Sequence, residues 1–413
     1  MNHKNHSSDN IPKLRFPDFT EPWMASKLGE VAKFSKGKGI SKADISENGE
    51  TECIRYGELY TVYKETINEI KSRTNIDIKD LVLSEANDVI IPASGETQID
   101  IATASCVLKS GIALGGDLNI IRTKINGVFL SYYLNSAKKQ DITNLAQGIS
   151  VVHLYASQLQ GLIINYPLST IHSTNEQQKI AQFLSTVDEK LRALKKKKSL
   201  LESYKKGVMQ KLFSQNIRFK DDEGNDFEDW EVKNLGEVCE IIGGGTPDTI
   251  NPEYWNGNIQ WFTPTEIKSD FVSKSIRTIT ELGLQKSSAK KLPIGTILLT
   301  TRATIGEASI ALEECTTNQG FQSLIVREGI NNLFVFNWIK ENKYELTTRA
   351  NGSTFAEISK TEIEKIQIPI PSLPEQTKIA NFLTAIDEKI NKVDAQIKQT
   401  ELWKKGLLQG MFV

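Results

Sequence analysis

The sequence predicts an α+β protein: two globular parts of mixed α/β content, separated by two long coiled-coil helices, the whole built by internal duplication. Three observations predict this. Residues 176–213, EQQKIAQFLSTVDEKLRALKKKKSLLESYKKGVMQKLF, align without a gap to residues 375–412, EQTKIANFLTAIDEKINKVDAQIKQTELWKKGLLQGMF. Shared anchors include Glu176/Glu375, Ile180/Ile379, Phe183/Phe382, Asp188/Asp387, Lys190/Lys389, Gly207/Gly406 and Phe213/Phe412. Each copy also spaces its apolar residues at steps of three and four, and a matching series of short signals precedes each copy.

Within the helices the apolar stripe runs Ile180, Phe183, Leu184, Val187, Leu191, Leu194, Leu201, Tyr204 and Val208 in the first copy. In the second it runs Ile379, Phe382, Leu383, Ile386, Ile390, Val393, Ile397, Trp403 and Leu407. This is a coiled-coil seam, with no proline inside either copy. Unbroken, each helix would be roughly 57 Å long. The simplest way to keep the stripe dry is for each copy to pack on the other. The alternative is two helices each packed on its own domain.

The globular parts come in order. Residues 1–11, MNHKNHSSDNI, read as a disordered tail, and His3 and His6 belong to it. The first globular part takes residues 12–170 and the first helical stretch 171–214; the second globular part takes 215–373 and the second helical stretch 374–413. Each part opens alike, with Leu14-Arg15-Phe16, Trp23 and Leu28-Gly29-Glu30-Val31 against Ile217-Arg218-Phe219, Trp230 and Leu235-Gly236-Glu237-Val238. A glycine loop follows, Gly37-Lys38-Gly39 or Gly243-Gly244-Gly245-Thr246-Pro247. Strand signals come next, Ile54-Arg55-Tyr56 against Ile259-Gln260-Trp261, then 88–91 against 295–298. Helical segments are expected at 129–136 and 333–340. Gly148-Ile149-Ser150 then matches Gly352-Ser353-Thr354, and β-type runs at 162–167 and 366–371 lead into the helices. The middles of the two parts diverge while the helices stay alike, as in a common scaffold carrying two reading heads.

Bulk composition excludes several classes. No run approaches the roughly 18 apolar residues of a membrane span, and no secretory signal is visible, so a cytoplasmic protein is expected. Cys53, Cys106, Cys239 and Cys315 form no paired metal motif. Overall charge is balanced, with 50 basic and 51 acidic residues. Locally it is not: residues 176–214 carry ten Lys/Arg against four Asp/Glu, residues 375–412 six against five. The Lys195–Lys198 run is either a solvated face or a phosphate track.

This organisation resembles the specificity (S) subunit of type I restriction–modification systems. The residues that carry the resemblance are the Trp and Leu-Gly-Glu-Val openings, the 243–247 loop, Gly352-Ser353-Thr354, and the junction Ile368-Pro-Ile-Pro-Ser-Leu-Pro-Glu-Gln-Thr-Lys-Ile-Ala-Asn-Phe-Leu383. The first junction departs from it, with Ser, Thr and His inserted before Glu176. The resemblance spans nearly the whole chain. It implies two target-recognition domains on double-stranded DNA, reading a bipartite sequence with an unread gap. It also implies that the two long helices pack antiparallel as a spacer and dock methyltransferase (M) subunits, two of them, and restriction (R) subunits. S-adenosylmethionine, ATP and Mg would sit on those partners, with no cofactor, metal or catalytic residue in this chain. Because the heads differ, the target should be asymmetric.

Base reading needs side chains with fixed donors and acceptors. In the first head the candidates are Lys36, Lys38, Lys42, Arg55, Tyr56 and Tyr60. In the second they are Thr246, Gln260, Trp261, Thr263, Thr265, Arg302 and Thr304. Tyr56 and Trp261 equally suit core positions. The helix-seam residues are Ile180, Phe183, Val187, Leu191, Leu194, Ile379, Phe382, Ile386, Ile390 and Val393. Two other readings compete: a coiled-coil scaffold that binds no DNA, and a PD-ExK-like endonuclease using Asp248, Glu266 and Lys268. Asn251-Pro252-Glu253-Tyr254 only partly matches the amino-methyltransferase motif. His153 and His172 lack a nucleophile, and no phosphate-binding glycine motif is complete.

Overall fold

The computed structural model describes residues 10–148, 151–168, 174–350 and 356–413. Of the residues singled out above, His3, His6, Ile149, Ser150, His172 and Gly352-Ser353-Thr354 lie outside these segments. The chain divides into two compact units, residues 1–196 with 394–413, and residues 197–393. Each unit therefore holds one globular part, one half of the first long helix (Thr174–Phe213) and one half of the second (Leu373–Met411).

The first unit is built on a five-stranded sheet in the order Ala32–Lys36, Leu118–Thr123, Asp88–Pro92, Ser105–Val107, Thr66–Ile67. All neighbours are antiparallel except the last pair. A three-stranded sheet joins Ser72–Thr74, Thr51–Ile54 and Ala113–Leu114. The second unit repeats both. Its sheets run Cys239–Gly243, Phe321–Val326, Ile297–Thr300, Ala308–Ala311, Phe271–Val272 and Arg277–Ile279, Trp255–Phe262, Cys315–Thr317. Successive side chains of a strand face opposite sides. Val89 and Ile91 accordingly enter one core and Ile90 another; Ile297 and Leu299 separate from Leu298 in the same way. A sheet covered on both faces explains the unbroken apolar runs there.

The expected helical segments form at Gly127–Ser136 and Asn332–Glu341. Each starts on an asparagine cap: Asn126 Oδ1 accepts from Phe129 N at 3.0 Å, Asn331 Oδ1 from Phe334 N at 3.1 Å. The closing strands are Ile163–Tyr166 and Gln367–Ile370, paired with the opening strands Met24–Lys27 and Glu231–Asn234. The signal at Ile54-Arg55-Tyr56 is different from expectation. The strand ends at Ile54, and Tyr56 begins a short helix, Tyr56–Thr61, because Glu58 reaches back to the Arg55 N–H at 3.0 Å.

At the start of each long helix a carboxylate is fully buried. Glu176 accepts from Arg15 Nε at 2.7 Å and from Trp23 Nε1 at 3.3 Å. Glu375 accepts from Arg218 Nη2 at 2.8 Å and from Trp230 Nε1 at 3.0 Å. The next residue is also repeated: Gln177 accepts from Asn126 N and donates to Pro167 O, and Gln376 does the same with Asn331 and Pro371. The strand-to-helix junction, the head's main helix and the long helix are thereby locked at one point.

Within each unit the two helix halves run antiparallel. In the first, Lys404 meets Asp188 at 2.7 Å, Lys195 meets Glu401 at 2.6 Å, and Phe183 packs edge-on to Trp403. In the second, the matching pair is Lys205 with Asp387 at 2.6 Å. The seam stripe does two jobs. Ile180 and Val187 face the core of their own globular part, and Leu407, Met411 and Phe412 of the second helix join them there. Ile379 and Ile386 do the same in the second unit, joined by Met209, Leu212 and Phe213. Leu191 and Val393 are buried, Phe183, Leu194, Phe382 and Ile390 half-buried. Tyr204 and Trp403 depart from the expected stripe and are about half exposed, at 53% and 47%. Among the described residues, no helix is long and apolar enough to cross a membrane.

Removing one partner of a buried ion pair strands the other. Glu375→Gln should therefore lower the stability of the second unit by about 3 kcal/mol, read as a shift in denaturant midpoint. Lys205→Asp should destabilise it similarly, and adding Asp387→Lys should restore most of the loss. A double variant no better than the single one would show that the pair does not hold the helix halves together.

Candidate nucleic-acid interface

In each unit four segments converge where the two sheets end. Strand register fixes their equivalence. Asn119 pairs with Lys36, and Gln322 with Gly243, so Gly37 matches Gly244. Ile54 pairs in parallel with Leu114, and Phe262 with Thr317, so Arg55 matches Thr263 and Glu58 matches Glu266. The expected alignment of Ile54 with Ile259 is three residues out. Glycine at 37 and 244 is required by close approach: a Cβ would stand 1.9 Å from Gly115 O or 2.0 Å from Asn318 O.

In the first head the segments enclose a cavity of about 950 Å³. Lys42, Arg55, Tyr56 and Tyr60 all line it, so four of the six candidates come together. Lys36 ends its strand and Lys38 lies in the glycine loop; both are exposed and neither lines the cavity. Arg55 is held by Glu58 at 3.2 Å through Nη2, and Glu58 also accepts from Ser72 Oγ. Burial raises the Tyr60 pKa, with Tyr56 and Glu96 adding to it, so the phenol stays a donor at neutral pH. Glu96 and Asp117 share the cavity and were not visible from sequence alone. Only the register shows that Glu96 occupies the place of Thr304.

The second head presents a different chemistry. Thr246 Oγ1 donates to Gln319 Oε1 at 2.5 Å. Thr263 Oγ1 lies 3.2 Å from Thr265 Oγ1 and donates to Glu266 at 2.7 Å. Arg302 is exposed and pairs with Glu357 at 2.9 Å. It sits beside Ala303, whose φ of 61° is left-handed, in a turn closed by Thr304 N to Arg302 O. Gln260 is half-buried, with Oε1 accepting from Ser275 N at 2.8 Å. Trp261 is a core residue at 4% exposure, packed on Trp255 and donating through Nε1 to Gly245 O at 2.9 Å. Trp255 donates to Asp248 O at 3.0 Å. The two indoles thus brace the 243–248 loop from beneath, and Trp261 cannot itself meet a ligand. Gln319 was missed because nothing in its sequence context marks it.

The acidic residues of the nuclease-like pattern have structural partners. Glu266 accepts from Thr263 N at 2.7 Å and from Ile276 N at 2.6 Å, and its counterpart Glu58 caps the first head's helix in the same way. Asp248 is exposed and accepts from Ile250 N. Asn251 caps the Pro252–Tyr254 turn. The four cysteines are buried free thiols, and burial pushes Cys315 up to about 12. In the lysine run, Lys195 pairs with Glu401 and Lys198 with Glu202, while Lys196 and Lys197 are exposed.

Glu266→Ala should cost about 1–2 kcal/mol of stability through the lost cap. The same loss is expected for Glu58→Ala, by chemical denaturation of each variant. A catalytic loss without a stability loss at Glu266 would contradict the capping role.

A family model described as "Type I restriction modification DNA specificity domain" matches residues 20–203 and again 227–400. The type I restriction enzyme MjaIX specificity subunit of Methanocaldococcus jannaschii is 36% identical over 203 residues, covering 48% of this chain and 46% of that protein. The putative MjaX specificity subunit of the same organism is 25% identical over 426 residues, covering 98% of this chain and 96% of that one. The crystal structure of the type I restriction–modification S subunit from M. genitalium superimposes with a TM-score of 0.63 at 17% identity, covering 98% and 99%. With its family model repeated across both heads and most of both long helices, the chain belongs to the type I restriction–modification DNA specificity family.

Proposed function

We propose that this chain is the DNA sequence-specificity subunit of a type I restriction–modification complex, recognising an asymmetric bipartite target. One observation carries the reading. The same scaffold contacts recur in both units, yet the loops at the matched sheet ends are chemically unlike: Arg55 stands where the other head has Thr263. A duplicated frame with two different surfaces suits two different half-sites. The chain docks methyltransferase subunits, two of them, and restriction subunits, and contributes no catalytic group. S-adenosylmethionine, ATP and Mg²⁺ belong to those partners, and the modified adenine is flipped out by the methyltransferase.

The test is a methylome. The chain is expressed with its cognate methyltransferase subunit in a host lacking adenine methylation, and N6-methyladenine is mapped. An asymmetric bipartite motif with a fixed gap is expected, lost when this chain is omitted. No motif, with the partner folded and bound, would favour a scaffold that binds no DNA.

The helices should set the gap. Their antiparallel register means that an insertion must be made in both. Four residues added after Lys197 and four after Gln396 lengthen the pair by about 6 Å, which is about two base pairs. The same methylation map should show both half-sites unchanged and a longer gap. An unchanged gap would remove the helices from that role.

A further inference from the structure

The first head's cavity is more specific than a general DNA-facing surface. Its wall holds an arginine with one side of the guanidinium fixed and part of it exposed. Arg55 Nη2 is tied to Glu58, which is itself anchored by Arg55 N and Ser72. Arg55 Nε has no hydrogen-bond partner among the described residues but is buried, so a ligand is met by the exposed part of the guanidinium, the side chain being 26% exposed. A guanidinium presents five donors in a rigid fork, so an orientation fixed on one side leaves the remainder matched to a planar pair of acceptors.

The rest of the cavity identifies those acceptors. Its acidic lining is Asp44, Glu58, Glu96 and Asp117, against Lys42 and Arg55 as the only bases. Asp44 is engaged by Ser41, and Glu58 by Arg55. Glu96 and Asp117 are exposed and have no ion pair among the described residues. Free carboxylates repel a phosphate but accept from an amino group. A cavity that offers a fork of donors beside free acceptors matches a G·C pair in the major groove: guanine gives O6 and N7 as acceptors, and cytosine gives its N4 amino group as donor. Thr263 at the equivalent place has its hydroxyl committed to Glu266 and offers no such fork.

We propose that Arg55 is the base-reading residue of the first head, taking the guanine of a G·C pair whose cytosine amino group faces Glu96 and Asp117. This rests on the reading that the chain recognises DNA. It makes Arg55 a determinant of sequence at one position, not of affinity in general.

The methylome of Arg55→Ala, Arg55→Lys and the Glu96→Gln/Asp117→Asn pair tests it, each expressed with the cognate methyltransferase subunit. Arg55→Ala should relax one G·C position of one half-site, reducing discrimination there by about 5- to 150-fold. The other half-site and the gap should be unchanged, which also shows that the variant is folded. The carboxylate pair should relax the same position. A uniform fall in methylation with the motif intact would mark Arg55 as a phosphate contact and overturn the proposal. So would a motif unchanged in every variant, or a target with no G·C pair in either half-site. Should Arg55→Ala abolish all methylation, Arg55→Lys decides: it keeps the charge facing Glu58 but not the fork. Relaxation at one position then supports the proposal, and an unchanged motif overturns it. A wild-type chain that yields no bipartite motif defeats the recognition reading itself, and Arg55 with it.

Discussion

Everything in each unit hangs on a carboxylate buried at the mouth of a long helix. Glu176 and Glu375 are at most 1% exposed, and burying a carboxylate without partners is costly. An arginine from the opening segment and an indole N–H from the first tryptophan make that burial tolerable. The arrangement links three distant pieces of sequence: the chain's entry into the head, the head's exit, and the first turn of the helix. A carboxylate in the first turn also favours the helix start electrostatically. Loss of the arginine leaves the buried carboxylate without its counter-charge, and loss of the tryptophan removes one of its hydrogen-bond donors.

The long helices complete the heads as well as joining them. Phe412 sits against Trp23, Phe129 and Tyr133 with ring centroids 5.7–6.4 Å apart, and Phe213 sits 5.6 Å from Phe334. Full burial of such a ring is worth roughly 1.5–3 kcal/mol, so each head's core includes the far end of the helix that follows the other head in sequence. The polar counterpart of this exchange is Asp188 with Lys404 and Asp387 with Lys205. Burial opposes the charge on Lys404, but Glu65 and Asp188 outweigh it and raise its pKa above that of an ordinary lysine. The first unit has therefore added Glu65 and the Tyr132 hydroxyl to a pair that the second keeps simple.

The parts of this structure legible in the sequence are those where one periodicity decides. The helices were visible because steps of three and four persist over many turns, and the duplication because those turns repeat without a gap. The core helices at 127–136 and 332–341 were visible for the same reason. The heads were harder. Strand Thr51–Ile54 has four residues where Trp255–Phe262 has eight, with a register shift between Trp255 and Ile259. Alignment by local flavour therefore matched Ile54 to Ile259, and only hydrogen-bond register corrected it to Phe262. Trp261 suited a ligand contact and a core position equally, because nothing in one sequence tells an indole that braces a loop from one that meets a ligand. Tyr204 and Trp403 had the right spacing for the seam, but both are amphipathic and sit where the stripe meets water. Glu96 and Asp117 gave no signal at all, since exposed acids are common and their convergence follows from the pairing of Asp88–Pro92 with Leu118–Thr123, two strands distant in sequence.

The same physics explains where the two heads are alike and where they differ. A buried ion pair or an asparagine cap constrains both its members, so Arg15, Trp23, Glu176 and Asn126 have counterparts of the same type in Arg218, Trp230, Glu375 and Asn331. Residues at the sheet ends bear no such reciprocal load. Ser94 and Gly95 pair with Val152 and His153 in one head, while Arg302 bridges to Glu357 in the other, and the backbone closes the loop either way. Glycine is retained at 37 and 244 because backbone lies within 2.0 Å of any added Cβ; at the next position the first head carries Lys38, whereas in the second a Cβ on Gly245 would stand 2.4 Å from Ala289 N, so glycine is required there too. Glu58 and Glu266 lie at the boundary between these regimes. Their backbone-capping role is fixed, but the residue they cap can be arginine or threonine, and the chemistry offered to a ligand changes without disturbing the turn.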